Sequence, residues 1–166
     1  MKKLLLLLCI ACSSANAQTA TDKTAIGNVL DNWHKAAAQA KSDTYFGLMT
    51  DDARFIGTDA TENWSVPEFK AFAKPYFDTG RAWDFKAVER NIFFSSDAKT
   101  AWFDELLDTW MKICRGSGVM QKQKDGSWKI AHYVLSITIP NDNSLEVIKI
   151  KQAFDDAFLT KLKAKP

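Results

Sequence analysis

The sequence predicts an α+β fold in which helices pack against one face of a curved antiparallel sheet. Amphipathic helical patterns fill the first half of the chain, and strand patterns follow almost without a break from Trp83 to Pro140. The strands after Thr100 are also long and apolar: TAWFDELLDTW, ICRGSGVMQKQ and, after a DGS turn, WKIAHYVLSITIP. Strands of that length and apolarity do not form a flat sheet with two wet faces. They curve around the helices upstream, and a curved sheet capped by helices encloses a pocket lined by strand side chains.

Each element has a local cause. Ile26, Val29, Leu30, Trp33, Ala37 and Ala40 fall on one stripe, giving an amphipathic helix over 22–40 with Thr21 or Asp22 as its cap. Ser42-Asp43 opens a short second helix through Tyr45, Phe46, Leu48 and Met49, and ARFIG within 52–57 is a short strand. Ser65-Val66-Pro67-Glu68 is a capping box for a helix that stripes Phe69, Phe72, Ala73, Tyr76 and Phe77, and Pro75 should kink or end it. Residues 83–94 alternate as a strand, and Asp125-Gly126 turns the last hairpin. Pro140-Asn141-Asp142-Asn143 breaks the sheet. A final amphipathic helix over 144–163 carries Val147, Ile150, Phe154, Phe158 and Leu162 near one face.

The chain has 166 residues, enough for one domain with a substantial core. Lys2 and Lys3, the apolar run Leu4 to Ala11 and Ala15-Asn16-Ala17 form a signal peptide over 1–17 with cleavage before Gln18, leaving a single domain over 18–166. The expected location is the periplasm or the exterior. Cys12, in its Ile10-Ala11-Cys12-Ser13 context, offers lipid attachment as the lesser alternative. The remainder is not apolar enough to span a membrane. The whole chain carries 22 basic and 20 acidic side chains, and removing Lys2 and Lys3 leaves 20 of each. A neutral domain without a basic stripe is a poor nucleic-acid partner. Only Cys114 of the three cysteines lies beyond the leader, so no disulfide staples the domain and Cys114 is expected to be a small buried hydrophobe.

The element order, with Phe55-Ile56-Gly57-Thr58-Asp59-Ala60-Thr61-Glu62, Ala101-Trp102-Phe103-Asp104-Glu105, Arg115-Gly116-Ser117-Gly118 and the stretch from Trp128 to Ser136, resembles the SnoaL-like branch of the nuclear-transport-factor-2-like superfamily. The resemblance covers Ile26 to Pro140, with the helix after Ser144 as an addition. It implies a cone-shaped α+β barrel around a ligand pocket, often in a homodimer. It implies no single activity, because members include isomerases, polyketide cyclases, hydrolases and proteins without known chemistry.

The candidate chemistry is sparse. Period-two alternation puts Trp128, Ile130, His132, Val134 and Ser136 on one strand face, so His132 is either a core histidine or an acid–base group in the pocket. Asp104 and Glu105 point to opposite faces, and Asp104 is taken as the pocket carboxylate; a structural ion pair with Arg115 or Arg90 is the alternative. Arg115 either holds an anionic ligand or pairs with Asp104 or Glu105. Gly116 and Gly118 beside it mark a close backbone approach or a bulge. Trp64 closes the acceptor-rich loop 58–64, which serves either as turn and cap or as a pocket rim. Trp33, Tyr45, Trp83 and Trp102 exceed core needs and suit a flat or apolar ligand, with Ser136 as a further contact. No spacing of His34 and His132 resembles a metal motif, and neither a cofactor fingerprint nor a nucleophile elbow occurs. The sequence thus points to an exported binder of a small, partly apolar molecule, with or without isomerase-, cyclase- or hydrolase-like chemistry at His132 and Asp104. The alternative is a non-catalytic homodimeric binding or interaction module.

Overall fold

The computed structural model describes the backbone of residues 2–164 and the side chains of residues 18–164. The leader expected over 1–17, including Cys9 and Cys12, lies outside the described side chains. The elements run α1 (Lys2–Ala38), α2 (Ser42–Gly47), β1 (Met49–Ile56), β2 (Asn63–Ser65), α3 (Val66–Asp78), β3 (Lys86–Phe94), β4 (Thr100–Thr109), β5 (Lys112–Lys122), β6 (Trp128–Ile137), a 3-10 turn at Asn141–Asn143 and α4 (Ser144–Lys163). Six strands form one sheet in the order β2-β1-β6-β5-β4-β3. Every pairing is antiparallel except β1 with β6, which is parallel and qualifies the wholly antiparallel expectation.

Helix α1 does not start at Thr21 or Asp22 but runs through them. The Asp22 carboxylate, instead of capping, is buried and accepts from Lys122 Nζ at 2.9 and 3.0 Å and from Trp128 Nε1 at 3.1 Å, tying α1 to the β5–β6 hairpin. Helix α3 has the expected start, with the Glu68 carboxylate accepting from the backbone N–H and hydroxyl of Ser65 at 2.8 and 2.6 Å. Pro75 does not end it, because the helix continues to Asp78. Strand β2 arises where the sequence reads as loop, and pairs Trp64 with Phe55.

The core lies between the helices and the inner sheet face. Ile26, Leu30 and Trp33 of α1, with Phe69, Ala73 and Phe77 of α3, meet Ala101, Phe103, Leu107, Met120 and Tyr133. Cys114 is fully buried there. The alternation along β6 changes phase. Trp128 and Ile130 are buried, then a bulge shifts the register between Ile130 and His132, and Tyr133 and Leu135 become the inward residues. Helix α4 stands apart, with no buried residue and with Leu145, Ile148 and Phe154 more than half exposed.

Candidate functional site

An open cleft of about 230 Å³ lies between α1, α3 and the inner sheet face. Its deep wall is Trp33, Phe55, Phe69 and Tyr133; Trp64, Trp83 and Phe85 form the sides, and Phe72, Tyr76 and Trp110 the mouth. These rings brace one another. Phe55 stacks on Phe69 at a centroid distance of 4.0 Å, Trp64 on Phe72 at 4.3 Å, and Trp33 meets Tyr133 at 4.6 Å. The cleft is smaller than the ~300–1,000 Å³ typical of sites for drug-sized molecules. Its polar residues are Thr58 and Glu62, and among the described lining residues none is Lys, Arg or His.

Behind Tyr133 lies a buried polar cluster centred on Glu105, whose side chain has no solvent exposure. The carboxylate accepts from His34 Nε2 at 2.7 Å, from the Tyr133 hydroxyl at 2.9 Å and from Arg90 Nε at 2.8 Å. Arg90 Nη1 reaches back to α1, donating to Asp31 Oδ1 at 2.8 Å and to the Gly27 carbonyl at 3.2 Å. Burial works against an ionised Glu105, but the hydrogen bond and field of His34, with those of Arg90, hold its carboxyl below the ordinary glutamate range. Burial, reinforced by the adjacent Glu105 charge, pushes the Tyr133 phenol well above its usual value. Gly116 stands opposite Glu105 on β5, and a Cβ there would lie 2.1 Å from the Tyr133 hydroxyl and 3.0 Å from Glu105 Cγ. At Gly118 a Cβ would sit 2.2 Å from the His132 carbonyl oxygen. Both glycines thus allow the close approach their spacing announces.

The structure divides the sequence candidates between the two sheet faces. Trp33, Trp64 and Trp83 line the cleft, and Tyr45 lies fully buried behind Trp33 and Trp83, at 4.6 and 5.6 Å. Across the ladder Trp102 faces Val119 and Val119 faces His132; Asp104 faces Ser117; Arg115 faces Leu106 and Ser136. Directly paired residues share a face, and these five candidates lie on the face away from the cleft. The bulge in β6 is the cause for His132 and Ser136, since it separates both from the face of Ile130. Asp104 accepts from Asn91 Nδ2 at 3.1 Å, and Trp102 stacks half exposed on Phe93 at 6.1 Å. His132 and Asp104 therefore share a sheet face without meeting the cleft.

His34 and Tyr133 carry polar interactions that the sequence reading passed over, Glu105 rather than Asp104 is the inward acid and takes the Arg90 ion pair, and Glu62 lies in the acceptor-rich loop 58–64. A signal existed for several. His34 follows Leu30 by four residues and lies on the buried stripe of α1, while Glu105 alternates with Ala101, Phe103 and Leu107, an almost wholly apolar set. Asp104 alternates instead with Trp102 and a second acid, Asp108, the pattern of a wet face. Among the described residues, no group of three His, Cys, Asp or Glu side chains is placed to hold a metal ion.

The fold has many counterparts among solved structures. A domain of unknown function with a cystatin-like fold from Nostoc punctiforme superposes with a TM-score of 0.62 at 16% identity, covering 87% of this chain and 98% of that one. An NTF2-like protein of unknown function from Pseudomonas putida gives 0.60 at 11% identity, over 75% and 92%. A provisionally assigned scytalone dehydratase from Novosphingobium aromaticivorans gives 0.64 at 12% identity, over 75% and 89%. At such identities the likeness is one of fold alone. No curated protein sequence matches the chain. The family model described as SnoaL-like domain matches residues 26–140, more than half of the sequence. With an NTF2-like architecture around an aromatic cleft, the chain belongs to the SnoaL-like domain family.

Proposed function

We propose that this protein is an exported SnoaL-like domain that binds a small, largely apolar molecule in the cleft bounded by Trp33, Trp64, Trp83 and Tyr133. The observation that carries the proposal is the aromatic lining of the cleft, whose one carboxylate is Glu62 in the loop after β1. Ten of the sixteen lining residues are aromatic, while His34 and Arg90 both pair with Glu105 behind Tyr133. A general acid or base must reach the reacting atom within hydrogen-bond range, and these groups are turned away from it. Binding is therefore favoured over isomerase- or cyclase-like turnover. Export rests on the leader pattern in residues 1–17; among the described residues, no helix is long and apolar enough to cross a membrane.

Isothermal titration of the purified protein with neutral aromatic probes, indole and 2-naphthol, tests the assignment. Saturable binding is expected, weakened about tenfold or more in Trp64→Ala, since a well-placed aromatic contact contributes about 1 kcal/mol beyond its buried area. Absence of binding, or binding indifferent to Trp64→Ala, would reject it. A second reading, association into a homodimer through the outer sheet face, is favoured by Phe93, Trp102 and Ile113, each about half exposed. Sedimentation should then show a dimer that Trp102→Glu dissociates, and a monomer at all concentrations would remove that reading.

A further inference from the structure

We propose that the cleft is selective for an organic cation, a quaternary or heavily methylated ammonium group, with Glu62 as its counter-charge; this deepens the assignment of the cleft as the ligand site and rests on it. Three features point the same way. The ring faces of Trp, Tyr and Phe carry negative electrostatic potential and attract a cation held against them, and Trp does so most strongly. Four of the lining rings are indoles: Trp33, Trp64, Trp83 and Trp110. The charge balance of the wall is also one-sided, with one carboxylate and, among the described lining residues, no Lys, Arg or His. An anionic ligand meets no positively charged side chain among them.

The third feature is the placement of Glu62. Its Oε2 accepts from the Asp59 backbone N–H at 3.1 Å, and its carbonyl accepts from the Gly57 N–H at 3.0 Å, closing the loop after β1. Its carboxylate has no ion-pair partner among the described residues. The side chain lies over Gly57, where a Cβ would stand 2.0 Å from Oε2. Gly57 has no positive φ that would demand glycine. The missing side chain instead leaves the space that keeps the carboxylate folded against the cleft wall. Methylation of the ligand follows from the scarcity of acceptors. A primary ammonium would bury three N–H donors against rings, whereas a quaternary one has none to satisfy and presents methyl groups to the aromatic wall.

Isothermal titration of the purified protein compares choline with 3,3-dimethylbutan-1-ol, which has the same shape without the charge, and includes 2-naphthol as a neutral aromatic probe. Choline is expected to bind about tenfold or more tightly than its uncharged counterpart. That preference should shrink in Glu62→Gln and in Gly57→Ala, which displaces the carboxylate. Equal affinities for choline and the alcohol, or a preference unaltered in Glu62→Gln, would overturn the proposal. Naphthol or the alcohol binding where choline does not would overturn the cation assignment and leave the cleft as a ligand site. Failure of all three to bind would remove both.

Discussion

The cleft and the Glu105 cluster meet at Tyr133 yet solve opposite problems. On one side its ring forms part of an aromatic wall that water can reach; on the other its hydroxyl binds a carboxylate with no exposure at all. The cluster contains the strong acid–base groups, and every interaction shown for Glu105 joins secondary-structure elements: α1 through His34, β3 through Arg90, β6 through Tyr133. The cleft has aromatic area but few polar groups. A buried carboxylate held below its ordinary pKa is not by itself evidence of catalysis. Its neighbours decide, and here they are consumed in holding the helix to the sheet.

The largest effect should come from opening the cluster. Glu105→Gln leaves Arg90 and His34 without their shared counter-charge and should cost about 3–5 kcal/mol, the usual result of removing one member of a buried pair. Thermal unfolding should show a drop of about 10 °C or more for a chain of this size. The pH dependence has a defined sign. The folded pKa of Glu105 lies below its ordinary value of 4.5, so its contribution is present above that pH and is lost as the pH falls through the folded value. The stability gap between wild type and Glu105→Gln should therefore narrow on acidification, and a gap that widens would contradict the arrangement.

Gly116→Ala presses on the same cluster sterically and should cost about 1–3 kcal/mol by overpacking against Tyr133, measured by urea unfolding. Phe72→Ala acts only on the mouth of the cleft, where the ring is 39% exposed. It should cost about 1 kcal/mol or less in stability while weakening probe binding, reversing the balance seen for Glu105→Gln. The smallest effect belongs to His132→Ala, expected within about 0.5 kcal/mol of wild type and without influence on calorimetric affinity. A ligand-binding defect there would show that the outer face communicates with the cleft.

Much of the fold was legible because its determinants are local. The stripe of α1, the Ser65–Glu68 box and the Asp125-Gly126 turn each declare an element, and the paired glycines of β5 announce the close approach that Tyr133 and His132 make. The site was less legible because one residue of bulge in β6 inverts everything after it. Strict alternation carries His132 to the face of Ile130, whereas the bulge sends Tyr133 there instead. Asp104 and Glu105 present a similar limit: adjacent acids differ only in the company kept two residues away, and the apolar company of Glu105 was the better guide. Strand β2 is three residues long, too short to display an alternation, and the parallel β1–β6 pairing depends on contacts distant in sequence, which local patterns do not encode.

The concentration of indoles around the cleft has an optical consequence. Four of the six tryptophans line it; of the others, Trp102 stands on the opposite face and Trp128 is locked to Asp22. Most of the protein's ultraviolet emission therefore originates at the walls of one small chamber. Occupancy should alter the colour and intensity of that emission directly, making the unlabelled protein its own reporter for whatever molecule enters.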